Sequence, residues 1–259
     1  MTADSPSDRG RPVAAVQRAI AVLETLAAAD TDVGTNEIAR RTGINASSVS
    51  RLLATLGRAE LVAQDADTGR YRLGLRMLRF GTAVLSRLDL RDVARPHLQA
   101  LSSATGETAT LSMAGGGGEA LTVDFVQSPS SVQSVARVGR PSVAHATAVG
   151  KVMLACTDQQ VAAPLERYTD ATIVDPAQLR AEVERTRARE WGEAVGEREV
   201  DLHAVAVPVH AADGALLAIL GVQGPAGRLT ASARRDAVAH LTDAARQIEA
   251  TFAGGSVPA

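Results

Sequence analysis

The sequence predicts a multidomain protein: an all-α winged helix-turn-helix at the N-terminus, a linker helix, and an α+β domain in which helices cover an antiparallel sheet. Three observations predict it. Thr35 to Leu73 (TNEIARRTGINASSVSRLLATLGRAELVAQDADTGRYRL) reads as two short helices joined by a glycine turn and followed by a polar-tipped hairpin. After Gly74 the pattern becomes one apolar-rich stripe with Arg on its other face. From His97 onward strand-like and helix-like segments alternate, joined by hairpin turns rather than regular crossovers.

The elements follow in order. Residues 1–11 form a Ser/Pro/Asp/Arg/Gly tail without periodicity, expected to be disordered. Residues 12–74 form the first domain. Val13, Val16, Ile20, Leu23 and Leu26 have the spacing of an amphipathic helix and are expected to face inward. Thr35 or Asn36 can cap a short helix that turns at Gly43. Asn45 or Ser47 caps the next helix, whose inner face is Val49, Leu52, Leu53 and Leu56. Residues 61–63 and 71–73 are short strands around a turn at 65–69.

Residues 75–95 read as a linker helix stopped by Pro96. Residues 96–254 form the second domain. A helix over about 96–105 precedes strands TATLSMAGG and EALTVDFVQ, joined at Gly115 to Gly118, and then a strand SVQSVARV. HATAVGKVMLA opens a helix, and PAQLRAEVERTRAREW is another, with Glu182 and Arg185 placed to pair. LHAVAVPVHAADGALLAILGVQG is a hairpin turning at Ala212-Asp213-Gly214, and RLTASARRDAVAHLTDAARQIEATF closes the chain as a helix.

Composition narrows the function classes. With 259 residues, 46 % apolar and 22 % charged, the chain can hold two ordinary cores. The net charge of −2 supplies no global positive field, so any nucleic-acid contact must come from local charge. Cys156 is alone, which excludes an intramolecular disulfide framework and fits a reducing cytoplasm. The opening MTADSPSDRGRP lacks an apolar core, so no signal peptide is expected, and no run of about 18 apolar residues spans a membrane. Lys151 is the only lysine among 27 basic residues. That bias toward Arg suits a GC-rich bacterial genome, so no Arg is read as functional from its identity alone.

A helix entering the major groove needs short polar side chains at its first turn, where backbone N–H groups also meet phosphate. Asn45, Ser47, Ser48 and Ser50 supply them, and Arg51 is the charged residue in reach of bases or phosphate. Arg58 lies near the other end of this helix, Arg40 and Arg41 end the preceding one, and Arg70 sits at the wing tip. From Arg51 to Arg79, six Arg (51, 58, 70, 72, 76, 79) face Glu60, Asp65 and Asp67, a local net of +3. The competing expectation is a small helical domain used for protein contacts.

The segments VQRAIAVLETLA, NEIARRTGINASSVSRLLATL and DTGRYRLG, taken together, resemble the N-terminal domain of the IclR family of bacterial transcriptional regulators. PSVAHATAVGKVMLA and AVAVPVHAADGALLAILGVQGPAGRLT resemble two segments of that family's C-terminal domain, and the likeness runs in order over about residues 12 to 252. The resemblance implies a dimer or dimer of dimers on palindromic promoter DNA, dimer contacts by the linker helix, and a GAF-like effector domain. By position it implies DNA contacts from Arg18, Thr35, Ser47, Ser48 and Arg51. The chain departs from the family's frequent Lys-Ser-Thr-Val-His-Arg by Ala46-Ser47-Ser48-Val49-Ser50-Arg51, which removes a Lys and an imidazole from the reading helix. It also has Glu199-Val200-Asp201-Leu202-His203 where many members carry a Gly before the AVPV strand.

For the effector, His145 to Lys151 places small residues at a helix start, where N–H groups favour a carboxylate. The resemblance implies pocket positions at Ser142, Ala148, Val149, Ala194, Leu202, Ala204, Gly221 and Gln223. That set describes a mostly apolar cavity with few polar groups, suited to a small organic acid, aromatic acids among the candidates. The alternatives are tight packing in a C-terminal domain that only dimerises, and an enzyme of GAF-like fold with an appended DNA-binding domain.

Catalytic and cofactor signatures are absent from the sequence. Gly115 to Gly118 is followed by no Lys-Ser/Thr, and Val152 stands where a phosphate loop ending in Gly150-Lys151 needs Ser or Thr. No G-x-S-x-G elbow occurs, and His97, His145, His203, His210 and His240 lack ligand spacing. His145 is expected to cap or pack at its helix start. No cofactor and no metal are expected.

Overall fold

The computed structural model describes residues 13–85, 89–115, 118–161 and 163–253. The tail 1–11 and part of the glycine run lie outside the described residues. The chain divides into two compact units, Met1–Arg87 and Leu88–Ala259.

The first unit contains α1 (Ala14–Ala27), α2 (Thr35–Thr42), α3 (Ala46–Arg58), the paired strands β1 (Val62–Gln64) and β2 (Tyr71–Leu73), and α4 (Arg76–Leu85). Its core is Val22, Leu26, Val33, Ile38, Val49, Leu53, Leu56 and Val62. Gly43 ends α2 in the left-handed region (φ 69°), which lets the chain turn into α3 without the penalty of a Cβ. Neither Thr35 nor Asn36 caps α2. The N-cap position falls to Gly34, and Thr35 is the first helical residue.

The expected inner face of α1 is only half correct. Leu26 is buried and Leu23 half-buried, but Val13, Val16 and Ile20 remain 64 %, 55 % and 49 % exposed. Val22 takes the buried position instead, because the core meets α1 on the neighbouring Ala19-Val22-Leu26 stripe. Leu75, Leu78 and Phe80 around the start of α4 are exposed as well.

The second unit contains α5 (Asp89–Thr105), β3 (Thr108–Ala114), β4 (Ala120–Val126), β5 (Pro141–Ser142), α6 (Ala148–Cys156), α7 (Pro176–Arg189), β6 (Gly192–Val195), β7 (Leu202–His210), β8 (Leu216–Pro225) and α8 (Ala231–Ala253). Its six strands form one antiparallel sheet in the order β5-β4-β3-β8-β7-β6. Alternation along the strands sends Leu111, Val205, Val207, Leu220 and Val222 to one face, where Leu98 and Leu101 of α5 and Leu241 and Ile248 of α8 cover them. The opposite face packs Ala120, Ala206 and Ile219 against Val152 and Met153 of α6, with Leu179 of α7 in the same cluster.

Two expectations fail here, and one element was not expected. Pro96 does not end a linker helix; it lies inside α5, which runs on to Thr105. An internal proline removes one backbone hydrogen bond, and the packing of Leu90, Ala94, Leu98 and Leu101 on the sheet carries the helix through it. Residues 131–138 form no strand. Their β-branched content suits a strand, yet Val132, Val135 and Val138 lie three apart rather than two, and they stay exposed with no neighbouring strand to receive them. The segment is held instead by side chains: Thr108 Oγ1 donates to the Ser134 carbonyl at 3.0 Å, and Gln223 Nε2 donates to Ser134 Oγ at 2.8 Å. Strand β6 has no counterpart in the sequence pattern, being four residues that follow a left-handed Glu190.

Candidate DNA-reading face and effector cavity

The α3 helix presents two opposed faces. Val49 and Leu53 are fully buried and Leu56 nearly so, while Ser47, Ser50, Arg51, Ala54 and Arg58 lie exposed at spacings that place them on the other side. Asn45 is the cap: its Oδ1 accepts from the Ser48 N–H at 2.8 Å and from Ser47 Oγ at 2.9 Å. Ser48 is half-buried beside this cap, off the Ser47–Arg51 stripe. Among the described residues, Arg51 and Arg58 have no ion-pair partner, so both guanidinium groups are available to a polyanion.

Other arginines are engaged internally. Glu37 accepts from Arg40 and Arg41 at 2.7 Å, and these two guanidinium groups hold its carboxyl at about 2. Arg72 pairs with Asp32 at 2.7 Å, and Arg76 donates to the Ala59 carbonyl at 3.0 Å. The local excess of positive charge therefore rests on fewer free groups than the count suggests. Arg70 is exposed at the wing and donates to the Asp32 carbonyl at 3.2 Å. Arg18 lies exposed on α1, donating to its own helix at Ala14, and Thr35 is half-buried at the start of α2.

In the second unit a cavity of about 510 Å³ opens between the sheet, the start of α6 and the loops 132–143 and 198–202. Strand β3 lays Thr110 and Ser112 along its floor and β4 adds Thr122. The register shifts between Leu111 and Ser112, so that Val123 is an extra residue on β4. This bulge turns Thr122 to the cavity while Asp124, two residues on, lies buried opposite Leu111 and pairs with Arg95 of α5 at 2.7 Å. Thr147 caps α6, accepting from the Gly150 N–H at 3.0 Å, and with Val149 forms one wall. His145 packs rather than caps, its Nε2 2.8 Å from the Glu166 carbonyl oxygen and its ring stacked on Tyr168.

Arg137, Arg140 and Arg198 stand around the mouth against Glu199 and Asp201 (three positive and two negative charges). None of the three guanidinium groups has an ion-pair partner among the described residues; Arg198 stacks over the Tyr168 ring at 3.9 Å. Of the expected pocket positions, Ser142, Val149, Leu202 and Gln223 line this cavity. Ala148 and Ala194 do not, being buried in the core between α6, α7 and β6, and Ala204 packs against that same core. Gly221 lies beneath the floor, where a Cβ would come within 2.8 Å of Thr110 Oγ1 and 3.3 Å of Val149. The expected apolar lining is also corrected: hydroxyl, amide and guanidinium groups from Thr110, Ser112, Thr122, Ser134, Gln223 and Arg137 face the space.

Behind the cavity lies a buried ion network. Lys151 is 1 % exposed, and its Nζ reaches Glu197 Oε1 at 2.6 Å, the Glu193 carbonyl at 3.0 Å and Glu182 at 4.0 Å. Burial pushes the Glu197 carboxyl above its ordinary value, against the pull of the Lys151 ammonium. Glu182 is shared further with Arg185 at 2.6 Å, as the helix spacing implied, and with Arg189 at 3.1 Å. The pair ties α6 to the start of the 198–202 loop, so it positions two walls of the cavity.

Comparison with known proteins decides the lineage. Residues 82–250 match the family model for the bacterial transcriptional regulator IclR C-terminal domain, and residues 15–66 match the IclR helix-turn-helix domain. The chain belongs to the IclR family. Similar relatives include the glycerol operon regulatory protein of Streptomyces coelicolor, 29 % identical over 95 % of this chain and 98 % of that one. The acetate operon repressor of Salmonella typhimurium is 27 % identical over 98 % and 99 %. A crystal structure of an IclR transcriptional regulator from Silicibacter sp. TM1040 superposes with a TM-score of 0.81 at 28 % identity, covering 94 % of this chain and 98 % of that one. An IclR homolog from Microbacterium hydrocarbonoxydans, solved with 4-hydroxybenzoate, shares the fold at a TM-score of 0.75 and 24 % identity, covering 93 % and 100 %. As a member of this family the protein is a DNA-binding transcriptional regulator.

The IclR-type sequence segments concealed several groups at this site. Thr110, Ser112 and Thr122 look like ordinary strand residues, and only the sheet's register and the β4 bulge bring them together. Lys151 did carry a signal, as the only lysine and one set in an apolar helix, but its partner Glu197 is 46 residues away. No helix among the described residues is long and apolar enough to cross a membrane, and no group of His, Cys, Asp and Glu among them could hold a metal.

Proposed function

We propose that this IclR-family regulator binds palindromic promoter DNA as a homodimer, or a dimer of dimers, in the bacterial cytoplasm, and that a small organic acid in the second unit's cavity modulates that binding. The observation that carries the effector reading is a cavity of about 510 Å³ whose mouth holds three guanidinium groups without ion-pair partners among the described residues. A carboxylate is the natural counter-group for such donors. The groups assigned to it are Arg137, Arg140, Arg198, Ser142, Val149, Leu202 and Gln223. The fold relative that holds 4-hydroxybenzoate supports an acid as the kind of guest.

For DNA, the assignment is base reading by Ser47, Ser48, Ser50 and Arg51, with Asn45 presenting the helix start. Arg58, Arg18, Thr35 and Arg70 contact phosphate or the minor groove. The exposed apolar side chains Val13, Val16, Ile20, Leu75, Leu78 and Phe80 support self-association, since exposed apolar patches of this kind mark interfaces. A two-fold dimer in turn calls for a palindromic operator.

Footprinting on the intergenic DNA upstream of the protein's own gene, with and without candidate carboxylates, tests the reading. A protected palindrome whose occupancy changes with one acid is the expected result. Protection that no carboxylate alters at millimolar concentration would leave the second unit as a dimerisation domain only. The Arg51→Ala variant should lose operator affinity by roughly 5- to 150-fold at moderate salt, the range of one base-contacting Arg.

A further inference from the structure

The floor of the cavity differs from its mouth. Ser112 is 1 % exposed, lines the cavity, and its Oγ has no hydrogen-bond partner. A buried hydroxyl that no protein group satisfies is left free to bond whatever occupies the cavity, water or ligand oxygen. Its neighbours have the same character. Thr122 sits directly across the strand pair from Ser112, and Thr110 lies two residues along β3 on the same face. Thr110 Oγ1 reaches only the Gly221 carbonyl, at the long distance of 3.5 Å, and Thr122 makes no side-chain hydrogen bond among the described residues. Three adjacent hydroxyls thus face one space with most of their hydrogen-bonding capacity open.

The same lining lacks what an aromatic guest needs. It contains no Phe, Tyr, Trp or His, so no ring is available for stacking or edge contact. Seating a flat ring on the floor would cover Ser112, Thr110 and Thr122 with carbon and leave all three unpaired. A site built to bond oxygen discriminates strongly against an analogue that lacks it, whereas an apolar wall discriminates weakly.

We infer, resting on the reading of this cavity as the effector site, that the ligand is a short aliphatic carboxylate bearing hydroxyl or oxo oxygens, with Ser112 as the residue that selects for those oxygens. The carboxylate end meets the guanidinium groups at the mouth and the oxygenated carbons lie on the Ser112–Thr122–Thr110 floor. Ser112 Oγ can donate to an oxo oxygen or accept from a hydroxyl, so both classes fit.

The test is calorimetric titration of the full-length chain with matched acids: glycerate, lactate and pyruvate as oxygenated probes, propionate as the deoxy control, and 4-hydroxybenzoate as the aromatic one. An oxygenated acid should bind at least about tenfold more tightly than propionate. Ser112→Ala should reduce that acid to the level of propionate while leaving propionate itself unchanged. This split separates selection from a structural role, because a distorted cavity would weaken every acid together. Tighter binding of 4-hydroxybenzoate than of any oxygenated acid, or an equal loss for all acids in Ser112→Ala, would overturn the inference while leaving the cavity an effector site. Binding of no acid at all would overturn the effector reading with it.

Discussion

Replacing Lys151 by Met would remove the ammonium from a site where water cannot replace it. The side chain is 1 % exposed, and its loss strips Glu197 Oε1 of its partner at 2.6 Å and the Glu193 carbonyl of its partner at 3.0 Å. Glu197 Oε2 already has no partner, so the buried carboxylate would keep only a backbone contact from Val195. Breaking a buried pair by removing one member costs about 3–5 kcal/mol. With a urea dependence of ~2 kcal/mol per molar, the midpoint of the second unit should fall by about 2 M. Trp191, the chain's only tryptophan, reports on this directly: it follows α7, with the Arg189 guanidinium 4.0 Å over its ring.

The pH dependence of that deficit has a definite sign. Burial raises the Glu197 carboxyl in the folded state. A carboxyl raised on folding contributes stability that is present below its unfolded value and lost as pH rises through the folded one. Removing Lys151 removes the opposing pull and raises the carboxyl further, so the deficit of Lys151→Met should shrink as pH falls from about 8 to about 5. Adding Glu197→Gln should recover part of the loss at neutral pH, with a coupling of roughly 0.5–3 kcal/mol between the two sites. A Lys151→Met variant that loses under ~1 kcal/mol at neutral pH, with no pH trend, would refute the reasoning.

Other outcomes follow from the first unit. Glu37→Gln should free Arg40 and Arg41 for phosphate, steepening the log–log salt dependence of DNA binding by up to about 1.8 if both make contact; an unchanged slope in fluorescence anisotropy would exclude it. Because the Glu37 carboxyl is held at about 2, its contribution to stability is present above the ordinary carboxylate value and lost only as pH falls toward 2. Asn45→Ala removes the α3 cap and should cost about 1 kcal/mol locally, read as faster hydrogen exchange at the Ser48 and Val49 amides. Ile20→Glu should shift sedimentation toward the monomer if the exposed α1 stripe is a subunit contact, and an unchanged distribution would remove that stripe from the interface.

Local chemistry determined much of this protein before any tertiary contact is considered. Asn45 as a cap, Gly43 as a turn, the Val49–Leu53–Leu56 stripe and the hairpin around 65–69 are decided within a few residues by backbone sterics and periodicity, so the exposed α3 face proposed for DNA was legible in order. The tertiary structure decided the rest wherever a partner distant in the chain was needed. Val13, Val16 and Ile20 fit an inward helical stripe, yet the core takes the adjacent face of α1. Pro96 carries the local signal for a helix end, and packing on the sheet overrides it. The cavity depends on the same kind of contact. Its hydroxyl floor exists because β3 and β4 pair with one extra residue at Val123, and its walls are joined because Lys151 meets Glu197 across 46 residues. Periodicity in a sequence specifies that a side chain will be covered; only the packed chain specifies what covers it, which is why Ala148 and Ala194 became core and Ser112 became the open end of the site.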